Sequence, residues 1–205
     1  MHTKQLFFSH AWRLDNLNRE THKRVSEVVK GLQKYGWTTW FDDDDMIGNM
    51  DAAMADGIEN CECFIVCLTE EYCLKVNAGS KDPYIRDNCQ KEWNYANNRD
   101  KLMLPLIMEP CMLNTSNWPP GVVPLYLSSI LYIDATHNNL ELAIGNIHKR
   151  LLAYELKPNI VGQLSEKFDE NLIINSKLNI NTSRINCRKF FPHSFFFQSF
   201  FHIFS

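Results

Sequence analysis

Residues Cys63–Leu68, CFIVCL, are six apolar side chains in unbroken succession. Side chains of a strand alternate between two faces, so a run of this kind predicts a strand covered on both. Sheets covered on both faces are typically parallel, and parallel neighbours need long crossovers, usually helices. The flanking sequence supplies both parts. KQLFFS (4–9), WTTWF (37–41), KLMLPLIM (101–108) and SSILYID (128–134) are further strand-like runs. Between them lie helical stripes: Val25, Val28, Val29, Leu32 and Tyr35, ending at Gly36; then Met50, Met54 and Ile58; then Cys89, Trp93 and Ala96. A last stripe joins Leu140, Ala143, Ile144, Ile147 and Leu151, with Asn138 or Asn139 placed to cap its start. The stretch from Glu70 to Arg86 reads as a long polar connection. Pro110, Pro119, Pro120 and Pro124 predict an irregular fourth crossover.

Strands alternating with helices predict an α/β fold, a flavodoxin-like five-stranded parallel sheet in the order 2-1-3-4-5 with helices on both faces. In such sheets ligands bind beyond the carboxyl ends of the strands, where the chain leaves strand one for strand two on one side and strand three on the other. The segments reaching that crevice are Ser9–Arg13, the loop after WTTWF, the connection after Thr69 and the start of the Cys89–Trp93–Ala96 helix. The pattern ends near residue 157, which predicts a domain over 1–157. Residues 158–205 are Asn- and Ile-rich and then Phe-rich (FFPHSFFFQSFFHIFS), without a period. They read as a disordered or loosely packed tail, with membrane-surface or partner contact as the alternative. Pro192, His193, Gln198 and His202 interrupt the apolar part, which is too short for a span.

A net charge of −3 gives no general attraction to nucleic acid. The first residues, MHTKQLFFSHAW, carry no signal-peptide pattern, and an odd count of seven cysteines in apolar segments predicts reduced thiols and a cytoplasmic setting. Cys61, Cys63 and Cys67 alternate near the third strand, so they are expected to share one face as core residues; no partner set completes a metal site. Four consecutive aspartates, Asp42–Asp45, follow the second strand. Consecutive carboxylates do not converge on one cation, and the acids of a phosphoacceptor pocket are missing after strands one and three. A solvated turn and a functional loop both remain open for them. Glu92 lies beside the apolar stripe of its helix, where desolvation would make a carboxylate a candidate site group.

Taken together, these segments resemble a TIR (Toll/interleukin-1 receptor homology) domain. LFFSHAWR is similar to its first-strand box, and GWTTWFDDDDMIGNMDAAMADGI to its second. CECFIVCLTEEYC resembles the third strand with the Ser/Thr-x-x-Tyr that follows, and NCQKEW the Cys-x-x-Glu-aromatic segment of the next helix. The match spans about residues 4–156. The resemblance implies NAD+ as substrate rather than a bound cofactor, with nicotinamide released in innate-immune or cell-death signalling and Glu92 as the catalytic residue. It implies Ser9, His10, Trp12, Arg13, Asp42, Asp43 and Gly48 as substrate-binding residues, Asp42–Asn49 as a mobile lid and contact surface, and self-association with other TIR domains. Lys91 and Arg99 are candidate partners for the acidic loop of a neighbouring copy. Asn88 stands where many active members carry Trp, with Trp93 or Tyr84 as possible substitutes. The alternative is a non-enzymatic TIR–TIR adaptor.

Overall fold

A computed structural model describes residues 4–41, 50–78 and 87–159. The expected acidic lid, Tyr84 and the tail from residue 160 onward lie outside the described residues. Five strands are present: β1 (Leu6–Ser9), β2 (Thr39–Trp40), β3 (Cys63–Leu68), β4 (Met103–Ile107) and β5 (Ile133–Asp134). All pair in parallel in the order β2-β1-β3-β4-β5. The helices are α1 (Thr21–Lys34), α2 (Met50–Asn60), α3 (Glu70–Ala78), α4 (Asn88–Asn98), α5 (Val122–Leu127) and α6 (Glu141–Ala153).

The two periodicities sort the core into two halves. Leu6, Phe8, Cys63, Ile65, Cys67, Leu104 and Leu106 face the α1 and α6 stripes. Phe7, Phe64, Val66, Leu68 and Ile107 face α2 to α5. Phe7, Ile65 and Leu106 are fully buried. Cys61 precedes β3 and packs in the half opposite Cys63 and Cys67, so the three thiols do not share one face. Burial pushes the Cys61 thiol up to about 11 and Cys73 up to about 12. Both stay protonated at neutral pH and act as small apolar side chains.

Gly36 ends α1 with φ +89°, and its N–H donates to the Gln33 carbonyl. Tyr35 is the exposed C-cap residue of α1 rather than part of its buried stripe. Leu140 is the N-cap residue of the last helix, and Asn139, one residue earlier, accepts from Glu141 N at 2.8 Å through Oδ1.

Four elements depart from the sequence expectation, among them β2, which covers only Thr39–Trp40 of the expected 37–41. The supposed connection after Thr69 begins as helix α3. Thr69 Oγ1 accepts from Tyr72 N at 3.1 Å, and Glu109 Oε2 accepts from Glu70 N at 2.8 Å, so two end amides are satisfied. Its buried stripe of Tyr72, Cys73 and Val76 is short. The fourth crossover is irregular as expected but carries two 3-10 turns (Pro110–Leu113 and Thr115–Asn117) and the six-residue α5. Strand β5 covers only Ile133–Asp134 instead of 128–134. Pro105 explains the shortening. Ile107 O accepts from Ala135 N, so the odd-numbered residues of β4 face β5. Pro105 has no N–H to extend that ladder backwards, and the Leu131 carbonyl accepts from Arg150 Nη1 at 3.0 Å instead.

Helix α2 approaches the sheet through Gly57. A Cβ there would sit 2.7 Å from Cδ1 of Trp40, a buried ring stacked on Phe7 at 4.3 Å. Alanine ordinarily gains about 0.5–1 kcal/mol over glycine inside a helix. Here the sign should reverse. Gly57→Ala is expected to lower stability by about 1–3 kcal/mol, read from the midpoint of urea unfolding. A higher midpoint would show that Trp40 yields at no cost.

Candidate active site

Side-chain alternation decides what the end of β1 presents. Ser9 lies two residues after Phe7, so it points to the same side, beneath α3 and α4. On α4, Glu92 falls within the buried stripe of Cys89, Trp93 and Ala96 rather than on the outer face. Asp87 caps this helix, with Oδ1 accepting from Cys89 N at 2.9 Å and Oδ2 2.9 Å from Lys75 Nζ. Burial would raise the Asp87 carboxyl, but Lys75 and the Cys89 amide outweigh it and hold it below the ordinary carboxylate range. The start of α4 is thereby fixed to α3.

Ser9, Tyr72 and Glu92 meet at this point. Ser9 Oγ donates to Glu92 Oε2 at 2.6 Å and lies 2.8 Å from the Tyr72 hydroxyl. Ser9 and Tyr72 are fully buried, and Glu92 is 6% exposed. A serine has one hydroxyl proton; when it goes to the carboxylate, the proton between Ser9 and Tyr72 has to come from Tyr72. Burial pushes the Tyr72 hydroxyl well above its ordinary value, with Glu92 adding to the effect, so it remains a donor. The result is a directed chain from Tyr72 to Ser9 to Glu92. Buried carboxylates need donors of this kind. Cys67 and Cys89 flank the site as neutral thiols, each pushed up by burial and by Glu92.

His10 is buried, and its carbonyl accepts from Cys89 Sγ at 3.4 Å, which seats the chain after β1 on the first turn of α4. Its Nε2 lies 2.7 Å from Nδ1 of His22 on α1. Trp12 stacks on His22 at 3.8 Å, and Phe41 lies 4.8 Å from the same ring. Trp12 is 56% exposed, whereas Trp37, Trp40, Trp93 and Trp118 are all buried. Arg13 is exposed, with Nε 3.4 Å from Glu71 Oε1. This loop is anchored further on: Asp15 accepts from Leu17 N and Arg19 N at 2.9 Å each and from Arg19 Nε at 2.6 Å. Arg19 then donates to the carbonyls of Thr136 (2.6 Å) and Met108 (3.0 Å), at the ends of β5 and β4.

The structure thus brings Ser9 and Glu92 together and sets His10, Trp12 and Arg13 on the anchored loop that follows. Asp42, Asp43 and Gly48 lie outside the described residues. Tyr72 and His22 were not among the sequence candidates. The Thr-x-x-Tyr quartet signalled Tyr72, but nothing local to His22 ties it to residues 10 and 12. Asn88 opens α4 with Nδ2 3.4 Å from Met50 Sδ, and Trp93 is a core side chain rather than a crevice wall. Lys91 and Arg99 are paired within the chain, Lys91 with Asp51 at 2.7 Å and Arg99 Nε with Glu59 at 2.6 Å. Among the described residues no group of three His, Cys, Asp or Glu side chains is placed to hold a metal ion. None of the described helices is long and apolar enough to cross a membrane.

The TIR domain of the Toll-related receptor TRR-2 from Hydra magnipapillata is 18% identical, covering 71% of this chain and 94% of that one at a TM-score of 0.46. Clostridium botulinum CMP N-glycosidase BcmB is 16% identical, covering 72% and 100% at 0.44. The TIR domains of the activated Roq1 resistosome that recognises the pathogen effector XopQ are 13% identical, covering 72% and 99% at 0.47. A comparison with curated proteins gives no match. The family model of the TIR domain matches residues 6–148, a span that runs from β1 into α6 and takes in every strand of the sheet. The chain belongs to the TIR domain family.

Proposed function

We propose that this chain is an NAD+ glycohydrolase in which Glu92 stabilises the ribosyl cation formed as nicotinamide departs. The observation that carries this reading is a buried carboxylate, oriented by a serine hydroxyl, at the carboxyl end of β1 beside the switch point of the sheet. The chemistry asks for little more. The C1′–N bond breaks with its electron pair going to a pyridinium nitrogen, so nicotinamide leaves neutral and no general acid is needed. Positive charge develops on the ribose, and a fixed carboxylate lowers the energy of that state more than that of the substrate. Water then adds at C1′ and gives up a proton, completing hydrolysis to ADP-ribose.

In this reading Trp12 provides a stacking face and Arg13 meets the pyrophosphate, while Ser9 holds the carboxylate and His10 shapes the loop. Asp42, Asp43 and Gly48 belong to the substrate-binding residues in this reading, and other TIR domains assemble with this one in a cytoplasmic signalling setting. Incubating concentrated protein with NAD+ and separating the products by chromatography tests the activity. Nicotinamide and ADP-ribose in equal amounts are expected. Intact NAD+ at high protein concentration would overturn the reading.

Asn88 in place of an aromatic favours the second reading, a TIR–TIR adaptor without turnover. Under the hydrolase reading, Trp12 separates binding from chemistry. Trp12→Ala is expected to raise KM roughly 3–10-fold with kcat within about twofold, the mark of a stacking contact made equally in ground and transition states. Equal loss in kcat and kcat/KM would instead place the indole at the reacting bond.

A further inference from the structure

Tyr72 belongs to no part of the reading above, yet it is the first link of the hydrogen-bond chain that ends on Glu92. We propose that Tyr72 is a positioning residue that acts on Glu92 through Ser9. The inference rests on the reading of Glu92 as the reacting carboxylate. It follows from proton economy in a closed space. The Ser9 hydroxyl is fully buried and has two partners within 2.8 Å, one an acceptor carboxylate and one a phenol. A serine hydroxyl rotates freely unless both its donor and acceptor sides are engaged. Tyr72 engages the acceptor side and leaves the Ser9 proton one direction, toward Glu92 Oε2. Each donation strengthens the next, so the carboxylate is held in place by a bond that is itself oriented.

The three residues come from three elements: the last position of β1, the first turn of α3 and the second turn of α4. The Tyr72 ring is fully buried in the core half that also holds Phe64, Val66 and Cys73, so its oxygen has a fixed origin. Cys89 on α4 and Cys67 on β3, further titratable groups at the site, are kept as neutral thiols by burial and do not compete for the Ser9 proton.

The test uses the full chain with Tyr72→Phe, which removes one oxygen and keeps the ring, together with Ser9→Ala and the double variant. Tyr72→Phe is expected to lower kcat roughly 10-fold with KM nearly unchanged, because a carboxylate that wanders loses its alignment. In the Ser9→Ala background the same change should have no further effect, since the chain runs through Ser9. Ser9→Thr retains the hydroxyl and should restore sensitivity to Tyr72→Phe. A readout independent of turnover is the carboxyl 13C resonance of Glu92, assigned by its loss in Glu92→Gln. It should move with Tyr72→Phe when Ser9 is present and stay put when it is absent. If that shift occurs in a chain that leaves NAD+ intact, the positioning stands and the hydrolase reading fails. Independent effects of the two changes, or a resonance indifferent to Tyr72, would overturn the proposal whether or not NAD+ is cleaved.

Discussion

Glu92→Gln is expected to reduce nicotinamide release by about 10²–10³-fold, the usual consequence of losing one preorganised electrostatic contact to the transition state. Gln is the informative replacement because it keeps the length of the side chain and an oxygen that accepts from Ser9 at the same place. What disappears is the charge. A truncation to Ala would also open space between Ser9, Tyr72 and α4, and packing would then be confused with electrostatics. Stability should hold or rise slightly in Glu92→Gln, since burying a charge opposes folding while burying a hydrogen-bonded amide does so less. The loss should fall on kcat and kcat/KM alike, because the cation exists only in the transition state. Full activity in Glu92→Gln, with the urea midpoint unchanged, would move the reaction to another carboxylate.

Asp15→Ala should have the largest effect on stability of any single polar change in the described residues, about 3–5 kcal/mol. The Asp15 side chain is wholly buried, and that of Arg19 is 16% exposed. Removing the acid strands a guanidinium whose other donors already hold the carbonyls of Thr136 and Met108. It also releases the amides of Leu17 and Arg19, which close the turn through Asn18 at φ +58°. For a domain of this size the loss corresponds to a fall in Tm of roughly 6–20 °C, measurable by thermal denaturation followed by circular dichroism. Asp15→Asn keeps the shape and one acceptor and should recover part of the loss. A Tm within 2 °C of the parent, set against the roughly 6–20 °C expected, would mean that Arg19 finds solvent without cost. Because Trp12 and Arg13 ride on this loop, substrate binding should weaken in step with stability.

The fold was legible wherever a single period governed a segment. CFIVCL could be nothing but a strand covered on both faces, and the stripes of α1 and α6 match the half-core they fill. Legibility failed where a distant residue decided the outcome. Helix α3 takes a cap from Glu109, far along the chain, and its own stripe is three residues long. Strand β5 is short because of a proline in its neighbour. The site divides in the same way. Glu92 could be singled out from its place beside an apolar stripe and from the resemblance of NCQKEW to a known segment. The Thr-x-x-Tyr quartet pointed to Tyr72 but not to its contact with Ser9, and His22 is defined by its contact to His10, which no local pattern encodes.

The interior position of β1, between β2 and β3, has a consequence for the order in which the chain becomes structured. Leu6 pairs with Thr39 on one side and with Cys63 on the other, so the earliest strand in sequence needs a partner made much later. At ribosomal rates of about 5–20 residues per second, LFFS waits roughly 3–12 s after its own synthesis before CFIVCL is complete beside it. During that interval an apolar segment with open edges is held by little besides β2 and the α1 stripe. The Ser9–Glu92 contact follows only after a further two dozen residues emerge.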